Sequence, residues 1–264
     1  MSDTLMVSVS GMRGHVGTDL TPELVARYAA ALGAWASRAG RPLVVLGRDS
    51  RTSGPMFARA AVAGLMSTGV DVVDLGMVPT PTVQLAVEHH HAGAGLIVTA
   101  SHNPIEWNAL KFIGPDGIFL DESDGARLGE FVGSVGHARE AGAGEGRVTT
   151  DRGAIARHLD GVTDLPALRV ERIRARHFAV ALDAVRGAGG PIMRQLLERL
   201  GCRVTGINLE TDGRFPRAPE PVPENLGELQ EVVRRTGADV GIAVDPDVDR
   251  LAIVAETGAP IGED

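Results

Sequence analysis

Ile97-Val98-Thr99-Ala100-Ser101-His102-Asn103-Pro104 reads as the end of a buried strand that delivers one hydroxyl into a turn. Leu96, Ile97 and Val98 form a short apolar run, and Asn103-Pro104 breaks it. Ligands of open α/β sheets bind outside the carboxyl ends of the strands, so a serine there can carry or receive a group. Most small-residue turns after strands are only turns. The octapeptide alone does not separate the two readings.

A second loop changes that balance. Asp245-Pro246-Asp247-Val248-Asp249-Arg250 follows the apolar run Val240–Val244 and precedes another, Leu251–Ala255. Its three carboxylates occupy alternate positions. Two unit charges about 5 Å apart repel by roughly 3 kcal/mol at an effective dielectric near 20. Such a loop takes a cation, keeps a proton or stays open to water, and open water is the ordinary state of a single D-x-D. Here Pro246 stiffens the loop and Arg250 adds a fixed cation. Oxygen-only donors on a short loop suit Mg²⁺. The loop does not match a calcium EF-hand, which needs a central glycine and a distal bidentate glutamate.

Outward from these loops, strand and helix patterns alternate. Thr21-Pro22 predicts a helix start, with Leu24, Tyr28, Ala31, Leu32 and Trp35 on its inward face. Leu43 to Leu46 and Val70 to Leu75 read as strands, with a helix capped by Ser53 between them. Thr82 to Glu88 reads as helix, Leu110 to Ile113 as strand, and Asp121 as the cap of a helix reaching Val132. Gly133 to Gly146 is rich in glycine and alanine, and a boundary is expected after it, giving domains at 1–150 and 151–264. The second half repeats the theme: strands at Phe178 to Leu182 and Arg203 to Ile207, helices from Gly187-Ala188-Gly189-Gly190 and from Leu226. Such alternation predicts layered α/β domains.

Composition narrows the function classes. With 264 residues and 44% hydrophobic content the chain can bury a sizeable core, and 3% aromatics makes that core aliphatic. A net charge of −8 without a basic tract argues against nucleic acid as partner. The one cysteine, Cys202, excludes an internal disulfide. No apolar run approaches the ~18 residues of a membrane span, and no signal peptide is apparent. A cytoplasmic protein without membrane contact is expected.

The motifs resemble those of the α-D-phosphohexomutase superfamily: phosphoglucomutase, phosphomannomutase and phosphoglucosamine mutase. Besides the serine and aspartate loops, Gly11-Met12-Arg13-Gly14 is similar to the family's N-terminal glycine–arginine turn. Gly47-Arg48-Asp49-Ser50-Arg51, Pro79-Thr80-Pro81, Asn108-Ala109-Leu110-Lys111, Gly187 to Gly190 and Phe215-Pro216 to Pro221 match further segments, in family order. The resemblance implies two consecutive three-layer αβα domains with mixed sheets, domains I and II of the family. It implies that Ser101 carries phosphate, and that Mg²⁺ sits between that phosphoserine and Asp245, Asp247 and Asp249. A hexose phosphate is the implied substrate and a hexose 1,6-bisphosphate the intermediate. Lys111 becomes the candidate acid–base group; an ordinary lysine near pKa 10.4 is a poor base, so its site must depress the value. His102 would orient the serine loop, and Arg13 and Arg250 would support its phosphate.

Other readings stand beside these. Lys111 also reads as a solvated strand residue, and His102 as a backbone partner. Arg48 and Arg51 read as structural or interdomain ion-pair partners. His89-His90-His91 reads as a solvated helix end, since three consecutive residues cannot share one face. The family's third and fourth domains, with their sugar-reading loop and phosphate clamp, have no counterpart here, so a fragment of low turnover is expected. Phosphoglucosamine is the first expectation for the sugar, with mannose and glucose phosphates as alternatives and a non-catalytic relic as the rival class. Oligomeric state is left open.

Overall fold

Thr21 and Pro22 open the first helix, α1 (Pro22–Arg38). Thr21 is extended, and its Oγ1 accepts from Leu24 N at 3.3 Å. That satisfies one amide a helix start leaves open, and Pro22 has no amide to satisfy. The computed structural model describes residues 5–8, 11–134 and 146–261. The glycine–alanine stretch expected to precede the domain boundary lies outside them at residues 135–145.

The inward face of α1 is rotated from the sequence expectation. Val25, Ala29, Leu32 and Ala36 are buried, while Leu24, Tyr28 and Trp35 are half-buried at the margin. The cause is helix α2 (Gly54–Ser67), which approaches closely over small residues. A Cβ on Gly64 would lie 2.1 Å from Ala26 O. Ser53 precedes α2 but does not cap it. Its hydroxyl instead accepts from Asn108 Nδ2 at 2.8 Å, so a tertiary bond replaces the local one.

Two units make up the chain. The first holds the described residues up to Ala100 and Glu106–Ala154; the second holds Ser101–Ile105 and the described residues from Ile155. The first is built on a mixed sheet of β1 (Met6–Ser8), β2 (Gly11–His15), β3 (Leu43–Arg48), β4 (Asp71–Met77), β5 (Ala94–Val98), β6 (Trp107–Ile113) and β7 (Val148–Thr150). Their order is β1-β2-β6-β5-β3-β4-β7, with β3 parallel to β4 and β5, and β6 antiparallel to β5 and β2. Val44, Leu46, Leu96 and Val98 face the core shared with α1, α2 and α4 (Glu122–Ser134). Helix α3 (Thr80–His89) covers the opposite face, where Val83 and Val87 sit over Gly47 and Gly95. Burial on both faces explains why β3 and β5 read as continuous apolar runs.

Gly11-Met12-Arg13-Gly14, read as a turn, is strand β2. It pairs antiparallel with β6, Gly11 opposite Lys111 and Arg13 opposite Ala109. The glycine reflects crowding rather than turning: a Cβ on Gly11 would meet Leu110 O at 2.1 Å.

In the second unit, α5 (Ala154–Thr163) and α6 (Val170–Arg174) lead into a five-stranded mixed sheet. Its order is β12-β11-β10-β8-β9, from β8 (Ala179–Asp183), β9 (Arg203–Ile207), β10 (Val240–Val244), β11 (Leu251–Ala255) and β12 (Pro260–Ile261). Strands β9, β8 and β10 run parallel, so their carboxyl ends share one edge. Helix α7 (Gly189–Arg199) packs Met193 and Leu197 on one face with Val180 and Leu182. Helix α8 (Gly227–Thr236) packs Leu229, Val232 and Val233 on the other with Ala181, Ala243 and Val254. Each unit is thus an αβα sandwich with a mixed sheet, as the resemblance implied. Among the described residues no helix is long and apolar enough to cross a membrane.

Candidate active site and cation centre

Strand β10 ends at Val244, and the chain turns at once through Asp245-Pro246-Asp247-Val248-Asp249. Asp245 and Asp247 are fully buried, and Asp249 is exposed. One oxygen from each carboxylate lies within 4.8 Å of the others. Asp245 organises the loop: its Oδ1 accepts from Asp249 N at 3.1 Å and Arg250 N at 3.2 Å.

Ser101 belongs to the same unit and meets this loop directly. Its Oγ donates to Asp245 Oδ2 at 2.6 Å and lies 3.3 Å from Asp249 Oδ1. Ser101 is 3% exposed and has φ 47°, in the left-handed region. Val248 has φ 61°. For a β-branched residue that is a true outlier, the kind of strain that gathers at functional sites.

The electrostatics fit a cation. The Asp245 carboxyl is pushed up from an ordinary 3.8 to about 8, first by burial and then by the charges of Asp247 and Asp249; the Ser101 hydroxyl bond pulls the other way. At neutral pH the cluster therefore holds a proton that a divalent ion would displace. Three carboxylates of a short loop are a hard-cation donor set.

The remaining sequence-predicted residues fall as follows. In the first unit, Arg13 and Lys111 line one cavity of ≈ 240 Å³ with Met6, Gly11, Met12 and Phe119. Arg13 and Lys111 share a face because both alternate with the Met12 and Leu110 positions of paired strands. Lys111 Nζ stands 5.6 Å from the centre of the Phe119 ring. His102 is half-buried on the serine loop. The Arg250 guanidinium is bound to Glu220 Oε1 at 2.7 Å. His90, expected to be solvated, pairs through Nε2 with Asp151 Oδ2 at 2.9 Å, which fixes the end of α3 to the segment after β7.

Two buried networks hold the strand ends; the first bears out Arg51 as a structural ion-pair residue, while its partners and the whole of the second escaped the sequence reading. In the first unit Asp49 and Arg51 are both fully buried. Asp49 Oδ2 accepts from Arg51 Nε at 3.1 Å and from Thr99 Oγ1 at 2.7 Å, while Arg51 Nη1 donates to Trp107 O at 3.0 Å. They tie together the ends of β3, β5 and β6, including the strand end that leads into the serine loop. In the second unit Asp183, 1% exposed, accepts from Arg217 Nε at 2.7 Å. Asp183 ends its strand among apolar residues, the signal that could have found it.

Comparisons with known proteins agree with this geometry. Residues 5–135 match phosphoglucomutase/phosphomannomutase alpha/beta/alpha domain I, and residues 156–258 match alpha/beta/alpha domain II. A phosphoglucomutase/phosphomannomutase of Thermococcus kodakarensis is 39% identical over 94% of this chain and 54% of its own length. A probable phosphoglucosamine mutase of Methanothermobacter thermautotrophicus is 38% identical over 96% of this chain and 55% of its own. The solved structure of a putative phosphomannomutase from Thermus thermophilus superposes with a TM-score of 0.84 at 30% identity, covering 98% of this chain and 59% of that one. The chain spans about half the length of the curated relatives it matches. Its two αβα units, with the serine and aspartate loops in the second, place it in sequence and in fold: the chain belongs to the phosphoglucomutase/phosphomannomutase family.

Proposed function

We propose that this chain carries the phosphoryl-transfer half of a phosphohexomutase, an isomerase that moves phosphate between the 1- and 6-oxygens of a hexose. The observation that supports this most is the 2.6 Å bond from Ser101 Oγ to Asp245 Oδ2 inside a cluster of three carboxylates. In this reading Ser101 Oγ gives its phosphate to one sugar hydroxyl and takes back the phosphate from the other end, through a hexose 1,6-bisphosphate. Asp245, Asp247 and Asp249 hold Mg²⁺. The ion, when bound, withdraws charge from the transferring oxygens and acts as a template.

This chain's own groups do the rest. Asp245 Oδ2 orients the Ser101 hydroxyl, and the left-handed backbone at Ser101 turns it toward the aspartates. Lys111 accepts and returns the sugar hydroxyl proton, with Arg13 as the second cation of its cavity. His102 steadies the serine loop, and Arg250, held by Glu220, flanks the aspartates. A glucosamine phosphate is the first reading for the sugar, on the wording of residues 103–111 and 245–251. Mannose and glucose phosphates are the second, favoured by the Thermococcus relative's name.

The test is intact-mass spectrometry of the purified chain after incubation with glucose 1,6-bisphosphate and Mg²⁺. One added phosphate, lost in Ser101→Ala, supports the reading. A wild-type chain that never acquires phosphate favours a non-catalytic sugar-phosphate binder.

A further inference from the structure

The turn that joins β8 to α7 lies against the back of the aspartate loop. Ala188 N donates to Pro246 O at 2.8 Å. A Cβ on Gly187 would stand 2.6 Å from Pro246 Cα and 2.8 Å from Pro246 O. Those are backbone atoms, with no rotamer through which to give way. A Cβ on Gly189 would stand 2.7 Å from Val244 Cγ2 and 3.1 Å from Val248 Cγ2. The turn therefore touches the loop before, at and beyond Pro246.

The turn is itself held stiff. Val185 and Arg186 have φ 48° and 58°, both left-handed. Arg186 N donates to Asn208 O at 2.8 Å, and Gly213 N donates to Arg186 O at 3.2 Å. Asp183 Oδ1 accepts from Val185 N at 2.9 Å and from Asn208 Nδ2 at 3.2 Å. Its Oδ2 accepts from Arg217, whose Nη2 reaches Val244 O at 3.5 Å, at the root of the aspartate loop. None of these residues is among the three carboxylates that could hold the ion.

We propose that the turn from Val185 to Gly190 sets the divalent-cation affinity of the Asp245–Asp249 loop and its preference for Mg²⁺ over Ca²⁺, with Gly187 as the positioning residue. The proposal rests on reading that loop as a cation centre. Mg²⁺ needs a near-octahedral shell at ~2.0–2.1 Å, whereas Ca²⁺ accepts looser shells at ~2.3–2.6 Å. A loop pressed from behind keeps its carboxylates close together; a loop pushed away from the turn opens.

The experiment is isothermal titration of the whole chain with MgCl₂ and, separately, CaCl₂. Gly187→Ala is expected to weaken Mg²⁺ binding at least tenfold and Ca²⁺ binding by less, so the Mg²⁺ preference falls. General destabilisation would not move that ratio. Gly201→Ala is the destabilising control: Gly201 has a left-handed φ of 73°, so a side chain strains it, and it precedes β9, at the end of the sheet away from the aspartate loop. It should lose stability and keep both affinities. A folded Gly187→Ala protein with wild-type affinity and preference overturns the proposal. Should Gly187→Ala not fold, Gly189→Ala decides on the same readouts: a threefold or larger Mg²⁺ loss with lowered preference supports the proposal, and unchanged values overturn it. A wild-type chain that binds neither ion sinks the cation reading itself, and this proposal with it.

Discussion

Replacing Asp245 by Asn tests the electrostatics of the site in one step. The Asp245 carboxyl titrates near 8 in the folded chain against an ordinary 3.8. The folded state therefore keeps a proton that the unfolded chain releases. That proton's contribution to stability is complete below about pH 4 and is lost as pH climbs from there to about 8. A shift of this size corresponds to an upper limit of about 6 kcal/mol. A pair of charges at the cluster's 4.8 Å spacing repels by about 3.5 kcal/mol at an effective dielectric near 20. Loop relaxation lowers the net effect, and about 2–4 kcal/mol is expected at pH 8, or roughly 5–15 °C in the transition of the second unit. Asn keeps an oxygen for the amides of Asp249 and Arg250 and removes the charge. In EDTA at pH 8, Asp245→Asn should thus melt above the wild type, and at pH 4.5 the gap should shrink. MgCl₂ at one hundred times its Kd should raise the wild-type melting point by the equivalent of about 2.7 kcal/mol and leave Asp245→Asn nearly unmoved. Scanning calorimetry reads both units in one experiment. A wild-type chain whose stability in EDTA does not fall between pH 5 and 8, or a folded Asp245→Asn that melts lower at pH 8, would refute the reasoning.

Three further substitutions probe the scaffold. Asp49→Ala removes the carboxylate partner of the fully buried Arg51 guanidinium and an acceptor of Thr99 Oγ1; a loss of about 3–5 kcal/mol is expected in urea unfolding of the first unit. Gly64→Ala sets a helix-propensity gain of about 1 kcal/mol against a Cβ 2.1 Å from Ala26 O. The overlap wins, and a net loss of about 1–3 kcal/mol is expected as α1 and α2 are forced apart, again read by urea unfolding. Thr21→Ala removes the Oγ1 acceptor of Leu24 N at the start of α1 and should cost about 1 kcal/mol in the same assay.

Much of the framework was legible because burial writes itself into periodicity. The two-sided burial of β3 and β5 produced unbroken apolar runs, and the Thr21-Pro22 start of α1 followed from capping chemistry alone. The strands that were missed lack that signature. Strand β1 has three residues, β2 begins at a glycine dictated by the carbonyl of Leu110, β7 is three exposed residues added to the side of β4, and β12 has two residues. Ser53 illustrates the limit of local rules. Its sequence context is that of a cap, yet Asn108, 55 residues away, takes the hydroxyl. Ser101 and the aspartates were legible as chemistry, because three alternating carboxylates are costly without a counter-charge. The residues that support them were not, because Asp183 meets Arg217 and Asp49 meets Thr99 only through the fold.

The left-handed positions carry that distinction further. After α1, α2, α7 and α8 the chain reverses through Gly40, Gly69, Gly201 and Gly237, all at positive φ. There only the turn matters, and glycine adopts it without a steric penalty. At the carboxyl edge of β8, β9 and β10 the same conformation falls on Val185, Arg186, Asn208 and Val248, and in the same unit on Ser101. Each costs about 1–3 kcal/mol and persists only where its surroundings over-determine it. The surroundings are visible: Asp183 bonds Val185 and Asn208, Asn208 O holds Arg186 N, and Asp245 binds both Ser101 and the amide that follows Val248. Local propensity argues against this conformation at Val185, Arg186, Val248 and Ser101, while asparagine tolerates it at Asn208, so a reading of sequence alone passes over most of them. The same opposition makes them informative once seen, because side chains are kept where glycine would relieve the strain: His91 and His177 follow helices α3 and α6, while the other five lie in the unit that holds the carboxylate cluster found among the described residues.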